Sequence, residues 1–462
     1  MLLKTLNPSK FLAKGRFKIS VYGLGHVGAS VAAVWLRTGA HVIGVDKSSD
    51  VVKNAKLGKT HIGEPGVAEA FKKALRKGKF EVTTDAVSAS KSSDFKIITV
   101  PVGLSNITAD LSAVKNVAGS IAMGLKKGDV VSFNATVPPG TTEELVLPIL
   151  ERVSGLKCEN DFGLVYTPER IYEGRAIKDI EENYPTIVAG AGLQSLKIGA
   201  ALYSLIARKG VIKMSTIKTA EFEKLCEGVY RDVNIALANE LVKIAEQIGI
   251  DFWEARNAAN SQPFCNLHKP GTGVGGACIP VYPRFLIETA DKMKIGSDIT
   301  KLARQVNSLM PKYCVSEAVE LLQRSGKSIN GANVAVLGLA FRGGVSDTRL
   351  SPTYDVFEEF LKFGCKILLH DPYVSNDVRI PSSVILTEKL EQALKNADLV
   401  FIATDHPQYA ELSEKRLSKL ASKDAVVYDG RGILDPKRFG NRYFANIGRK
   451  GTLLKKLLDD AI

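Results

Sequence analysis

Cysteine is scarce and scattered in this chain: Cys158, Cys226, Cys265, Cys278, Cys314 and Cys365 form no Cys-x-x-Cys pair and no metal-ligand spacing. That argues against structural zinc or any other metal, and it suits a reducing, cytoplasmic setting. Long apolar runs are missing as well. Residues 198–207 come closest, and they fall well short of the roughly 20 residues a membrane-spanning helix needs. Residues 1–16 carry Lys4, Lys10, Lys14 and Arg16 without a continuous apolar stretch, so they read as an N-terminal extension, neither signal peptide nor membrane anchor. A basic stripe interleaved with aromatics is also lacking. The net charge is +13, yet Lys and Arg are dispersed among acidic residues, so nucleic acid is not the expected partner. A basic protein that binds phosphorylated, acidic ligands accounts for the charge equally well.

What is present is ordinary for a globular protein, with 45% hydrophobic and 24% charged residues over 462 positions. That length suits about three domains. The clearest local pattern begins at Phe17. A short apolar strand runs into Gly23-Leu24-Gly25-His26-Val27-Gly28, an apolar helix follows from Ala29 to Thr38, and a second strand from His41 ends in Asp46. Strand, glycine turn, helix, strand and acid together make a dinucleotide fingerprint. Gly23 allows the tight turn, Gly25 lets backbone approach a pyrophosphate, and Gly28 lets helix and strand pack closely. The helix N-terminus favours the anion. Asp46 would accept hydrogen bonds from a ribose diol and repel a 2′-phosphate, which favours NAD over NADP.

Further strands are expected near Phe95, Val130 and Thr186, an alternation that indicates a doubly wound parallel sheet. Two polar motifs fall at expected strand ends, where such sheets bind ligands. They are Asn134-Ala-Thr136-Val-Pro-Pro-Gly-Thr-Thr and Tyr166-Thr-Pro-Glu169-Arg170-Ile171-Tyr-Glu173-Gly-Arg175. Both are also compatible with plain proline-punctuated loops. From Thr216 to Gly249 the chain reads as one long helix, with Phe222, Leu225, Val229, Val233, Leu237, Leu241, Ile244 and Ile248 as its apolar repeat. Such a helix commonly joins two lobes and packs on a second subunit. Lys224, Gly228 and Arg231 lie on another face, and Lys224 taken alone reads as a solvated lysine. Beyond a polar linker at residues 327–331, a second alternating unit starts at Asn333, with strands near Lys366, Ala397 and Ala425. It has no full Gly-x-Gly-x-x-Gly, so it reads as a phosphate- or nucleotide-binding lobe and not as a second NAD site.

Between the long helix and the second lobe lies Gly271-Thr-Gly-Val-Gly275-Gly-Ala-Cys278-Ile-Pro-Val-Tyr282-Pro. A thiol after a run of glycines can be a nucleophile. Taken alone, the stretch reads more readily as a flexible turn with a buried, inert cysteine.

Taken together, these motifs resemble the UDP-glucose/GDP-mannose dehydrogenase family of nucleotide-sugar 6-dehydrogenases. The matching stretches are Gly23 to Gly28, Thr136-Val-Pro-Pro-Gly-Thr-Thr, Pro168-Glu-Arg, Lys224-Leu, Arg231-Asp-Val-Asn-Ile-Ala, Gly273-Val-Gly-Gly, Cys278-Ile-Pro, Leu337-Gly-Leu-Ala-Phe and Asp347-Thr-Arg-Leu-Ser. Several of them look most like the UDP-N-acetylmannosamine branch. The resemblance implies an α/β fold of two Rossmann-like lobes joined by a long central helix and a small helical domain. It divides the chain into an NAD-binding domain at 17–210, a central helical and dimerisation domain at 211–326, and a UDP-sugar-binding domain at 327–462.

The activity implied is four-electron oxidation of a sugar C6 alcohol to the uronate, with NAD as acceptor and a thiohemiacetal and thioester on Cys278. Lys224 would stabilise the developing oxyanion and favour the thiolate. Glu169 would be the base in hydrolysis, and Thr136 would hold water or the nicotinamide end. Arg170, Ile171, Arg231 and Gly275 would contact sugar or phosphate, Phe341 and Arg342 the nucleotide end, and Arg349 the cofactor across a homodimer or higher oligomer. The chain departs from the family pattern at several places. Tyr282 stands where an aspartate helps with the water, and Gly228 where an asparagine hydrogen-bonds the reacting oxygen. Gln262, Phe264, Ala277, Arg284, Val102 and Arg342 are further departures. Two alternatives therefore stand beside the leading reading: a catalytically impaired homologue that binds UDP-sugar and NAD, and a two-electron β-hydroxyacid dehydrogenase that would not need the thiol.

Overall fold

In the computed structural model, residues 3, 17–439 and 442–449 are described. The chain divides into two compact units, Met1–Glu227 with Arg284–Ile295, and Gly228–Pro283 with Gly296–Ile462. Apart from Leu3, the N-terminal extension lies outside the described residues. Leu3 is buried and donates its backbone N–H to the Gly128 carbonyl at 2.9 Å.

The first unit is built on β1 (Lys18–Tyr22), β2 (His41–Val45), β3 (Phe80–Thr83), β4 (Phe95–Ile98), the small hairpin β5 (Gly103–Ser105) and β6 (Thr108–Asp110), β7 (Val130–Phe133), β8 (Gly163–Tyr166), β9 (Thr186–Gly190) and β10 (Val211–Lys213). Eight of these strands form one sheet in the order β10-β9-β8-β7-β4-β1-β2-β3. All neighbours in it pair in parallel except β8 and β9, which are antiparallel. Both faces are covered. Ile19, Val21, Val42 and Ile97 point into one core, while Tyr22, Ile43, Val45 and Ile98 point into the other. Strands buried on two sides need near-continuous apolar sequence, which is why β1, β2 and β4 were legible and the half-exposed β3 and β10 were not.

The second unit repeats the plan with β11 (Asn333–Leu337), β12 (Lys366–His370), β13 (Val384–Thr387), β14 (Leu399–Ile402), β15 (Val426–Asp429) and β16 (Phe444–Asn446). Its sheet is wholly parallel, in the order β13-β12-β11-β14-β15-β16. Val334 and Val336 face one core, and Ala335 and Leu337 the other. The α/β, doubly wound reading therefore holds, with one antiparallel pair as a local exception.

The long helix expected from Thr216 to Gly249 runs Ile217–Gln247. Of the apolar repeat, Leu225 is buried, but Phe222, Leu237, Ile244 and Ile248 are exposed. Also buried are Ile217, Ala220, Glu221, Lys224, Gly228, Asp232, Ala236, Ala238, Asn239, Val242, Ala245 and Glu246. Polar side chains take the inward face because each finds a partner there: Arg304 and Asn307 meet Asp232 at 2.6 and 2.8 Å, and the Asn239 amide donates to Asn307 at 2.9 Å. Among the described residues, no helix is long and apolar enough to cross a membrane.

The first core is centred on Trp35, which has no exposed surface and meets Phe95, Phe17 and Tyr203 edge-on at 5.7, 6.4 and 6.4 Å. Trp35→Ala should therefore destabilise the protein by about 3–5 kcal/mol, measurable as a lowered midpoint in chemical denaturation followed by circular dichroism.

Candidate active site

The fingerprint turn closes as its glycines require. Gly23 has φ +92° and donates its N–H to the Val45 carbonyl at 2.8 Å. A Cβ on Gly28 would fall 1.7 Å from the Gly23 carbonyl oxygen, so no side chain fits there. Gly25 faces open space and precedes the helix His26–Arg37 without any side-chain cap, leaving that N-terminus available to an anion. Asp46 accepts N–H bonds from Leu24 at 2.8 Å and Ser48 at 2.9 Å, and a carboxylate keeps lone pairs for a ribose besides. The residues present fit NAD. Val27 packs against the first core, and His26 Nε2 lies 3.0 Å from Glu173.

The two polar motifs do follow strands, β7 and β8 respectively. Glu221 of the long helix holds the first one. Its carboxylate accepts the N–H of Gly140 at 2.5 Å and both the N–H and hydroxyl of Thr142 at 2.9 and 2.6 Å. Thr136 sits buried just upstream. In the second motif, Glu169 accepts the N–H groups of Arg170 and Ile171 at 2.9 and 3.1 Å. Burial pushes the Glu169 carboxyl up to about 7, against the pull of those N–H groups and of the Lys224 ammonium. Lys224 is buried and pairs with Glu227 at 3.5 Å, so the solvated-lysine alternative is set aside. Arg170 donates to the same Glu227 at 2.6 Å, to the Pro185 carbonyl at 3.2 Å, and lies 5.0 Å above the Tyr184 ring. Glu169, Arg170, Ile171 and Lys224 thus share one cluster in the first unit.

Cys278, Gly275, Arg231, Phe341, Arg342 and Arg349 belong to the second unit. Here the glycine loop is packed closely, not loose. A Cβ on Gly275 would meet Phe341, the Leu350 carbonyl and Pro352 at 2.7–2.8 Å, and one on Gly276 would meet the Phe341 ring at 2.9 Å. The Gly276 N–H bonds the Arg349 carbonyl at 2.9 Å. Cys278 is exposed, which overturns the buried-thiol alternative. The Arg342 guanidinium lies 5.7 Å from the Phe341 ring. Arg349 is held by Asp347 of its own chain at 2.9 Å, and Arg231 is exposed. The two departures at 228 and 282 touch. The Tyr282 ring packs on Gly228, whose buried Cα carries nothing in its way.

Residues 17–207 match the NAD binding domain of the UDP-glucose/GDP-mannose dehydrogenase family, residues 218–309 its central domain and residues 335–436 its UDP binding domain. The chain belongs to this family. It is an NAD-dependent oxidoreductase, and its second lobe is the family's UDP-binding module, as the missing second fingerprint implied. It is similar to a UDP-N-acetyl-D-mannosamine dehydrogenase of Pyrococcus horikoshii, with 35% identity over 94% of this chain and 99% of that one. It is also similar to an NDP-N-acetyl-D-galactosaminuronic acid dehydrogenase of Ralstonia nicotianae, with 33% identity over 91% and 97%. A solved UDP-D-ManNAc dehydrogenase structure from Pyrococcus horikoshii aligns with TM-score 0.86 at 33% identity, covering 94% of this chain and 99% of that one.

Within this family member, the sequence reading missed the carboxylates that hold the site residues. Glu227 carries both Arg170 and Lys224. Its signal was present, since it lies three residues after Lys224 and four after Glu223 on one helix. Glu223 is itself pushed up to about 7, by burial and then by Glu227. Glu64 was invisible locally: it accepts the N–H groups of Gly174 and Ala176, both at 2.7 Å, and so fixes the loop that carries Glu173. Glu227→Ala would leave two partly buried cations without this partner. The expected loss is about 1–3 kcal/mol of stability, read by thermal denaturation, with a raised KM for the sugar nucleotide.

Proposed function

We propose that the chain oxidises the C6 alcohol of UDP-N-acetylmannosamine to the uronate through covalent capture on Cys278. Residues 17–210 bind NAD, residues 327–462 bind the UDP-sugar, and residues 211–326 carry the thiol loop. The observation that carries the reading is the Glu169–Lys224–Glu227 cluster. It supplies a carboxyl titrating near neutrality beside a buried ammonium, as a hydrolytic base and an oxyanion stabiliser require. The names of the similar proteins support a UDP-N-acetylhexosamine as the substrate class.

NAD⁺ at the Gly23–Gly28 turn supplies the hydride acceptor, once for each of two oxidations. The Lys224 ammonium stabilises negative charge on the C6 oxygen. The Cys278 thiolate adds to the C6 aldehyde carbon, forming a C–S bond, and the aldehyde oxygen takes a proton to give the thiohemiacetal. Loss of the C6 hydride and that hydroxyl proton leaves the thioester. Glu169 then takes a proton from water as the water attacks C6, the C–S bond breaks, and the thiolate is restored with the carboxylate as product. Thr136 orders the water or nicotinamide end. Arg170, Ile171, Arg231, Gly275, Phe341 and Arg342 hold the sugar nucleotide, and Arg349 serves the cofactor. A cytoplasmic homodimer is the proposed form, supported by Leu237, Ile244 and Ile248, which stay exposed along the long helix.

Two NADH should form per UDP-N-acetylmannosamine consumed, measured by absorbance against product quantified by chromatography, and Cys278→Ser should abolish the second. One NADH per sugar with the thiol dispensable would instead support a two-electron dehydrogenase. No turnover with any UDP-sugar, despite binding of both ligands, would support the impaired homologue that Gly228 and Tyr282 suggest. A base must be ionised, so kcat should rise with pH through about 7 and fall away below it. Glu169→Gln should flatten that limb and slow turnover by roughly 10²–10⁴-fold.

A further inference from the structure

Gly228 lies inside the helix Ile217–Gln247, where glycine costs about 1 kcal/mol relative to alanine. Something must require it. A Cβ built there would fall 2.8 Å from Cδ2 and 3.0 Å from Cβ of Tyr282. The obstacle is the root of an aromatic side chain, not a mobile tip, so even alanine would displace the tyrosine. Tyr282 is the first residue of the helix Tyr282–Lys292. Its N–H, and that of Val281, donate to the Cys278 carbonyl at 3.0 and 3.1 Å. The ring seated on Gly228 and the turn that closes on Cys278 are therefore two ends of one residue. On the other side, the loop is pinned by Gly276 to the Arg349 carbonyl and by Gly271 to Asn239 at 3.0 Å.

We propose that Tyr282 is a positioning residue for the nucleophile: its ring, docked in the gap left by Gly228, sets the turn that presents Cys278. This rests on the reading of Cys278 as nucleophile and adds a residue pair to it. The contact with Gly228 is made by Cβ and ring carbons, so a phenylalanine ring fills the same gap. The pair is also exclusive, because a side chain at 228 and a tyrosine at 282 compete for the same space.

The test uses the full-length enzyme with UDP-N-acetylmannosamine and NAD⁺. It pairs steady-state kinetics with the rate of Cys278 alkylation by iodoacetamide, followed on the Cys278 peptide by mass spectrometry. Tyr282→Ala and Gly228→Ala should each lower kcat by roughly tenfold or more, with KM for the sugar within about threefold, because the reacting atom is misplaced while binding is kept. Both should change the alkylation rate, and Tyr282→Phe should restore kcat and alkylation. The double variant Gly228→Ala/Tyr282→Ala should be no worse than either single one, since the clash disappears with the ring. Circular dichroism melting identifies any variant that fails to fold, and Tyr282→Phe with the double variant then carries the comparison. Cys278→Ser separates the two claims. If it turns over like the parent, the nucleophile reading fails. If it is inactive while Tyr282→Ala keeps the parent kcat and alkylation rate, or if Tyr282→Phe is as slow as Tyr282→Ala, the positioning role alone is overturned.

Discussion

In both units, a carboxylate that follows the second strand holds the backbone turn that follows the first. Asp46 receives the N–H of Leu24, and Asp371 receives those of Leu339 and Ala340 at 2.7 and 2.9 Å. A parallel sheet delivers its ligand sites at the carboxyl ends of its strands, where backbone N–H groups leave the ladder and need new acceptors. The acid meets that need and fixes the turn. In the first unit this leaves Gly25 open at an uncapped helix start, and in the second it sets the loop from Leu339 through Phe341. Asp46 thus has a structural task as well as the ribose contact inferred from sequence. In the second unit His406 joins Asp371 at 3.0 Å, which closes the corresponding place.

The same economy governs the first unit's reactive cluster. Glu221, Glu223 and Glu227 all come from the first turns of the long helix, and each acts differently: on the turn after Thr136, on its neighbour carboxylate, and on Arg170 with Lys224. Glu64 and Asp179 act likewise on the loop after Glu169, Asp179 accepting the Tyr172 N–H at 2.7 Å. Burial raises the carboxyls of Glu221 and Glu223, as it does that of Glu169, because the charged form loses water before it gains partners. A site made this way is stiff in its backbone and titrates near neutrality, a combination suited to hydrolysing a covalent intermediate.

The sequence was most informative where the chemistry is local. Gly23, Gly25, Gly28 and Asp46 could be placed because turn, helix start and acid follow within one strand-helix-strand unit. Glu169 and Thr136 could be placed because they follow apolar strands. It was least informative where partners are distant or where burial inverts the pattern. Half of the long helix's apolar repeat is exposed while a polar stripe is buried, because Asp232, Asn239 and Glu246 find partners that no spacing rule reveals. Glu64 and Asp371 went unread for the same reason. Gly228 and Tyr282 looked like two independent losses; in the fold they are one contact.

That contact and the exposure of Cys278 bear on the same question, whether the thiol captures the sugar. Tyr282 offers no carboxylate to the hydrolytic water, so an adduct should persist long enough to observe. The direct measurement is peptide mass spectrometry of enzyme quenched in acid during turnover with UDP-N-acetylmannosamine and NAD⁺. The account predicts a sugar-nucleotide acyl adduct on the Cys278 peptide that appears with the second NADH of the first turnover and decays as substrate is exhausted. NADH formation with an unmodified Cys278 peptide throughout, or an adduct on another residue, would contradict it.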